Sequence, residues 1–169
     1  MPLGSIANLI KKNIELRSGE LSNELKIENV HESTLKILSG VDKVEISDVS
    51  SCTILVGPVT TSIFINKCKN CIICVTCRQI RLHNSEGVQV WLSCCTPPLM
   101  ENCKHITFDL REKTNSNYYR EYENHLKKKN VNNCEFLSLE RFTVSDFSWL
   151  RLQSSPNWSI GKIELSTIL

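Results

Sequence analysis

Between Ile27 and Phe108 the chain repeats itself five times at an offset of 17 to 19 residues, a period that admits few folds. Counting from the start of each repeat, the opening column holds Ile27, Ile46, Ile65, Leu82 and Met100. Three residues on stand Val30, Val49, Cys68, Ser85 and Cys103, and six on stand Ser33, Cys52, Cys71, Val88 and Ile106. Eight on stand Leu35, Ile54, Ile73, Val90 and Phe108; the ten column holds Ile37, Val56, Val75 and Leu92 and breaks at Leu110. Columns six, eight and ten alternate with other residues at period two, as in a strand with one buried face, and no repeat carries a helical stripe. Units of strands and corners that bury their columns against the next unit predict an all-β chain wound as a parallel β-helix of about five coils. An antiparallel sandwich would call for two-residue hairpin turns such as Asn-Gly, and that pair does not occur.

A chain of 169 residues suffices for one such domain with short flanking helices. MPLGS at residues 1–5 reads as an expression scar and is set aside from the fold. Residues 6–24 read as an N-terminal helical cap, since Ile6, Leu9, Ile10, Ile14 and Leu16 fit an amphipathic helix that would cover the first coil. The β-helix domain then occupies residues 25–169 and includes a helix over Tyr118–Lys129, preceded by the capping residues Asn115, Ser116 and Asn117. Trp149 and Trp158 in the tail are expected to fold back on the β-helix, because exposed tryptophans at a loose end promote aggregation.

Lys and Arg total 20 against 18 acidic residues, so no strong field draws the protein to nucleic acid or an anionic membrane. No apolar run reaches the length of a membrane span, and the N-terminus lacks a signal-peptide core, so the expected location is the cytoplasm. Nine cysteines in that compartment read as thiols. Cys68, Cys71, Cys74 and Cys77 have the spacing of metal ligands, but the register sends Cys74 outward and the other three inward or into corners. Four ligands on opposite faces do not converge, so a ladder of small apolar thiols is expected, with no metal and no cofactor.

No GxSxG, HExxH or phosphate-loop motif occurs, so no self-contained active site is expected. The unusual stretch is Cys77–Asn84. Ile80 and Leu82 face inward, which leaves Gln79, Arg81 and His83 outward together. One coil on, Leu99 falls beside Arg81 and Glu101 beside His83, with Glu101 diagonal to Arg81 and within reach of it. On periodicity alone, Arg81 and Glu101 read as a surface ion pair worth at most about 1 kcal/mol.

The Gly57-Pro58-Val59 entry, Gln79-Ile80-Arg81 and Pro98-Leu99-Met100-Glu101 together resemble the signature region of the tubulin-binding cofactor C domain family, which also includes the X-linked retinitis pigmentosa protein. The likeness extends over about Ile27 to Ile160, the tail DFSWLRLQSSPNWS included. It implies a right-handed β-helix that activates an Arf-like GTPase, or tubulin together with cofactors D and E, through an arginine finger at Arg81. By the same resemblance Gln79 is the companion glutamine, and Glu101 orients the arginine and meets the partner. Arg78 stands where the family pattern has its first glutamine, and with His83 and Leu99 it falls on the expected partner surface. The helical region expected ahead of such a domain is absent or reduced to Ile6–Asn23, and no Met-Gly acylation motif is present. The resemblance implies a cytoplasmic, cytoskeleton-associated activator of GTP hydrolysis. The competing reading is a non-catalytic scaffold with Arg81 as an interface anchor. A polysaccharide-acting β-helix would want more coils and an acidic partner for Glu101.

Overall fold

The computed structural model of the chain describes residues 3–17, 19–110, 124, 127 and 135–164. One face carries β1 (Leu3–Ile10), β3 (Leu21–His31), β5 (Val41–Ser50), β7 (Val59–Lys69), the second half of β8 (Ile72–His83), β10 (Leu99–Glu101) and β12 (Ser145–Asp146). The other carries β2 (Asn13–Arg17), β4 (Thr34–Leu38), β6 (Thr53–Val56), the first half of β8, β9 (Gln89–Ser93), β11 (Ile106–Leu110) and β13 (Trp158–Ile160). Strands pair in parallel and the chain visits the two faces in turn, which winds a β-helix of six coils. β12 and β13 add a partial seventh. β8 runs from one face to the other without a break: Ile72–Thr76 pair on the second face and Gln79–His83 on the first.

The repeat columns are the core. Ile27, Ile46, Ile65, Leu82 and Met100 meet rung on rung and are fully buried, as are Leu35, Ile54, Ile73, Val90 and Phe108. Leu110 pairs with Leu92 and stays half-buried, so the ten column weakens there rather than ends. Between the faces each coil turns through two left-handed residues, two and five places after its opening column, with φ of 50° to 67°. The first corner takes Asn8, Asn29, Asp48, Lys67, Asn84 and Asn102, and all but Lys67 are the residue types that tolerate that conformation. Asn102 and Asn84 also stack their amides: Asn102 Nδ2 donates to Asn84 Oδ1 at 2.8 Å, and Asn84 Nδ2 to Oδ1 of Asn66, the residue before Lys67, at 3.0 Å. Gly57 answers a different demand, since a Cβ there would stand 2.2 Å from the Ser39 carbonyl oxygen of the preceding coil.

The first coil corrects the sequence reading of residues 6–24. They form strands rather than a helical cap, and so raise the coils from five to six. Ile6, Leu9, Ile14 and Leu16 repeat the spacing of Ile27, Val30, Leu35 and Ile37, and each pairs with its counterpart. Ile6, Leu9 and Ile10 also satisfy a helical stripe, which is why the pattern is ambiguous alone; pairing with β3 decides it and leaves Ile10 exposed. Leu3–Ser5 extend β1. The helix expected over Tyr118–Lys129 lies outside the described residues, save Asn124 and Lys127, which are helical.

The cysteines line the inside. Cys52, Cys68, Cys71, Cys77, Cys94 and Cys103 are buried free thiols, and several donate to backbone carbonyls, as Cys52 does to Ser50 at 3.2 Å and Cys71 to Lys69 at 3.3 Å. Burial pushes the Cys68 thiol up to about 12 and that of Cys71 to about 11, which holds both protonated and makes them poor metal ligands. Cys95 departs from the thiol expectation: it is disulfide-bonded. Cys74 does point out of the second face, yet it is fully buried, in a small outer cluster with Leu55, Ile72, Trp91 and Ile163.

Residues 137–163 return over the last coil. Phe108 and Phe142 stand 5.4 Å apart and Trp158 packs on both, at 6.2 and 6.0 Å. Asp146 ties the return together, accepting from Ser155 Oγ at 2.6 Å and Asn157 Nδ2 at 2.9 Å. Trp149 is held within the same segment, its Nε1 donating to the Gln153 carbonyl at 2.9 Å and Arg151 lying over its ring. Trp158 is thus folded back on the β-helix as expected, whereas the contacts of Trp149 are with its own segment.

Candidate functional site

Alternation within β8 builds the site. Ile80 and Leu82 are fully buried, so Gln79, Arg81 and His83 lie on the outer side of the first face. The neighbouring strands continue these positions as rows. Ser62 pairs with Gln79; Phe64, Arg81, Leu99 and Ser145 form the central row; Asn66, His83 and Glu101 form the third. The predicted adjacency of Leu99 to Arg81 and of Glu101 to His83 is therefore present.

Side-chain partners differ between the rows. His83 Nε2 stands 4.0 Å from Glu101 Oε2, a loose and partly exposed pair of little energetic weight. The His83 ring meets Phe64 with centroids 4.9 Å apart and planes at 77°. The Arg81 side chain is exposed and makes no hydrogen bond, ion pair or ring contact among the described residues. The Arg81–Glu101 surface ion pair expected from periodicity is thus not formed; Glu101 reaches His83 instead. Arg78 sits apart, at the register shift between the Val59–Cys77 and Ser62–Gln79 pairs, where its carbonyl accepts from the Cys95 N–H at 3.1 Å.

Two aromatic residues at the site escaped the sequence reading. Phe64 lies one repeat before Arg81, and its outward direction follows from buried Ile63 and Ile65 on either side. Phe147 donates its N–H to the Met100 carbonyl at 2.9 Å and extends the face past Glu101 with an exposed ring; the irregular chain before it hides that placement from any repeat.

Residues 22–146 match the family model for tubulin binding cofactor C. The chain belongs to that family. Tubulin-specific chaperone C of Bos taurus is 29% identical over 156 residues, which is 91% of this chain and 43% of the relative. Tubulin-folding cofactor C of Arabidopsis thaliana is 24% identical over 142 residues, 84% of this chain and 39% of the relative. The chain thus spans about two-fifths of the length of these curated relatives. Among solved structures, tubulin binding cofactor C from Leishmania major superposes with a TM-score of 0.59 at 21% identity, covering 73% of this chain and 81% of that one, a likeness of fold. Of the three motifs that carried the cofactor C resemblance, Gln79-Ile80-Arg81 and Pro98-Leu99-Met100-Glu101 lie side by side on the first face. Gly57-Pro58-Val59 lies at a corner, where close packing against Ser39 accounts for the glycine.

Proposed function

We propose that this cofactor C chain is a tubulin-folding module that stimulates GTP hydrolysis in trans, with Arg81 as the arginine finger. The observation that carries the reading is an exposed guanidinium, unengaged among the described residues, on a strand fixed by parallel neighbours on both sides. A guanidinium so placed meets phosphoryl oxygens through several donors and neutralises charge that develops in the transition state, with no internal ion pair to break first. Gln79 stands next to it on the same side of the strand. Glu101, His83, Leu99 and Arg78 are the surroundings that the partner meets. The partner is tubulin acted on with cofactors D and E, or an Arf-like GTPase, in the cytoplasm at the cytoskeleton. Membership of the cofactor C family and relatives named for tubulin folding support the choice of tubulin.

Single-turnover GTP hydrolysis by tubulin, with cofactors D and E present and the domain added, tests the reading. A finger supplied in trans is worth about 10³ to 10⁵ in rate, so Arg81→Ala is expected to abolish nearly all the stimulation. The melting temperature is expected to stay unchanged, since the side chain is exposed. Arg81→Lys is expected to fail as well, because a compact ammonium lacks the planar fork. Full stimulation by Arg81→Ala would leave the scaffold as the function of this face.

A further inference from the structure

We propose that Phe64 is the positioning residue that holds Arg81 extended for its partner, a role that rests on the reading of Arg81 as the delivered group. The family resemblance gives the orienting role to Glu101, yet here Glu101 lies against His83 and leaves the guanidinium unattached. What flanks Arg81 is apolar: Phe64 on one rung and Leu99 on the other, each one strand spacing away. The two flanks are unequal. Leu99 opens a three-residue strand, whereas Phe64 lies inside the eleven-residue β7, between fully buried Ile63 and Ile65.

Phe64 is also held from the side. The His83 ring stands 4.9 Å from its centroid at a steep angle, and His83 is in turn met by Glu101 at 4.0 Å. Glu101, His83 and Phe64 thus form a chain of contacts that ends in an aromatic ring one rung from Arg81. A ring on the neighbouring rung removes side-chain conformations that would lay the arginine across β7, without occupying the guanidinium donors. Fewer conformations then have to be lost when the partner arrives. In this arrangement Glu101 acts on Arg81 through two intervening rings.

The test has one arm without a partner and one with it. In the isolated domain, nitrogen-15 relaxation of the Arg81 Nε–H is expected to report a restrained side chain in the native protein and in Phe64→Tyr, and a freely rotating one in Phe64→Ala. In single-turnover hydrolysis by tubulin with cofactors D and E, Phe64→Ala at saturating concentration is expected to slow the stimulated step about tenfold to a hundredfold. Its half-saturating concentration should stay within about twofold, and Phe64→Tyr should restore the rate. All three proteins should melt together, because the ring lies outside the core. Unchanged Arg81 relaxation in Phe64→Ala overturns the proposal whatever the fate of the GTPase reading. Altered relaxation with an unchanged stimulated rate overturns the positioning role while Arg81 remains the finger. Full stimulation by Arg81→Ala overturns the finger, and with it the purpose assigned to Phe64, even if the relaxation result stands.

Discussion

Ile14 in the first coil and Phe108 in the last regular coil occupy the same repeat column, yet Phe108 is fully buried and Ile14 only half so. Leu9 likewise packs on the core from a half-exposed position while its counterpart Cys103 is buried, although Ile6 is buried like Met100 and Leu110 half-buried like Leu16. The two ends differ in what lies over them. Phe142 and Trp158 return across the last coil, and β12 and β13 pair with the outer edges of β10 and β11. No described strand pairs with the outer edge of β1 or β2. A column therefore sets which way a side chain points, and the next layer sets how much water it loses.

Truncation breaks this comparison most severely. Removing residues 145–169 takes away the partial seventh coil and the Trp158 contact, and is expected to lower the melting temperature by about 10 °C or more. Removing residues 1–18 takes away one coil from the end whose outer edges no described strand pairs, so the fall should be smaller. Equal melts for the two truncations would sink the distinction between a covered and an open end.

Point substitutions in the shared column sharpen it. Phe108→Ala is expected to cost about 3–5 kcal/mol in urea unfolding, the range for a buried aromatic. Ile14→Ala is expected to cost about 1–2 kcal/mol, since its side chain is partly hydrated in the native state. Similar losses at both positions would show that Ile14 is covered in solution.

The middle coils, enclosed from both ends, add a pH signature. Burial raises the Cys68 thiol from 9.0 to about 12 and the Cys71 thiol from 9.0 to about 11. The folded state keeps these protons while the unfolded chain releases them above pH 9, so their contribution is complete below that pH and falls as pH rises toward 11 to 12. At pH 10 the expected loss is about 1 kcal/mol for each deeply buried thiol. Cys68→Val should flatten the alkaline slope of unfolding free energy; an unaltered slope would place its source elsewhere.

The smallest expected effect lies at a corner common to all the coils. Lys67 holds the left-handed position that the other coils give to Asn or Asp, with φ of 54°. Lys67→Asn is expected to stabilise the protein by about 0.5–1 kcal/mol by relieving that strain. No gain in urea midpoint would mean that Lys67 is compensated by contacts of its side chain.

Column order determined the inward residues, the parallel β-helix and the outward direction of Gln79, Arg81 and His83, because a period-two strand leaves each side chain only two directions. The Asn and Asp in most first corners, which the columns do not single out, follow from the tolerance of those residues for left-handed backbone. What sequence could not decide was which of two local patterns wins when both fit. Residues 6–10 satisfy a helix and a coil alike, and only the rung with β3 chose the coil. Nor could direction alone give surroundings: Cys74 faces outward and is nevertheless buried in a cluster with Ile163, far away in the chain. At the site, register placed Glu101 within reach of both His83 and Arg81, and the pairing with His83 emerged only once Phe64, His83 and Glu101 were packed together. Backbone periodicity is written in neighbouring residues, whereas the cover over a strand and the partner of a charged side chain depend on segments that only the tertiary structure brings near.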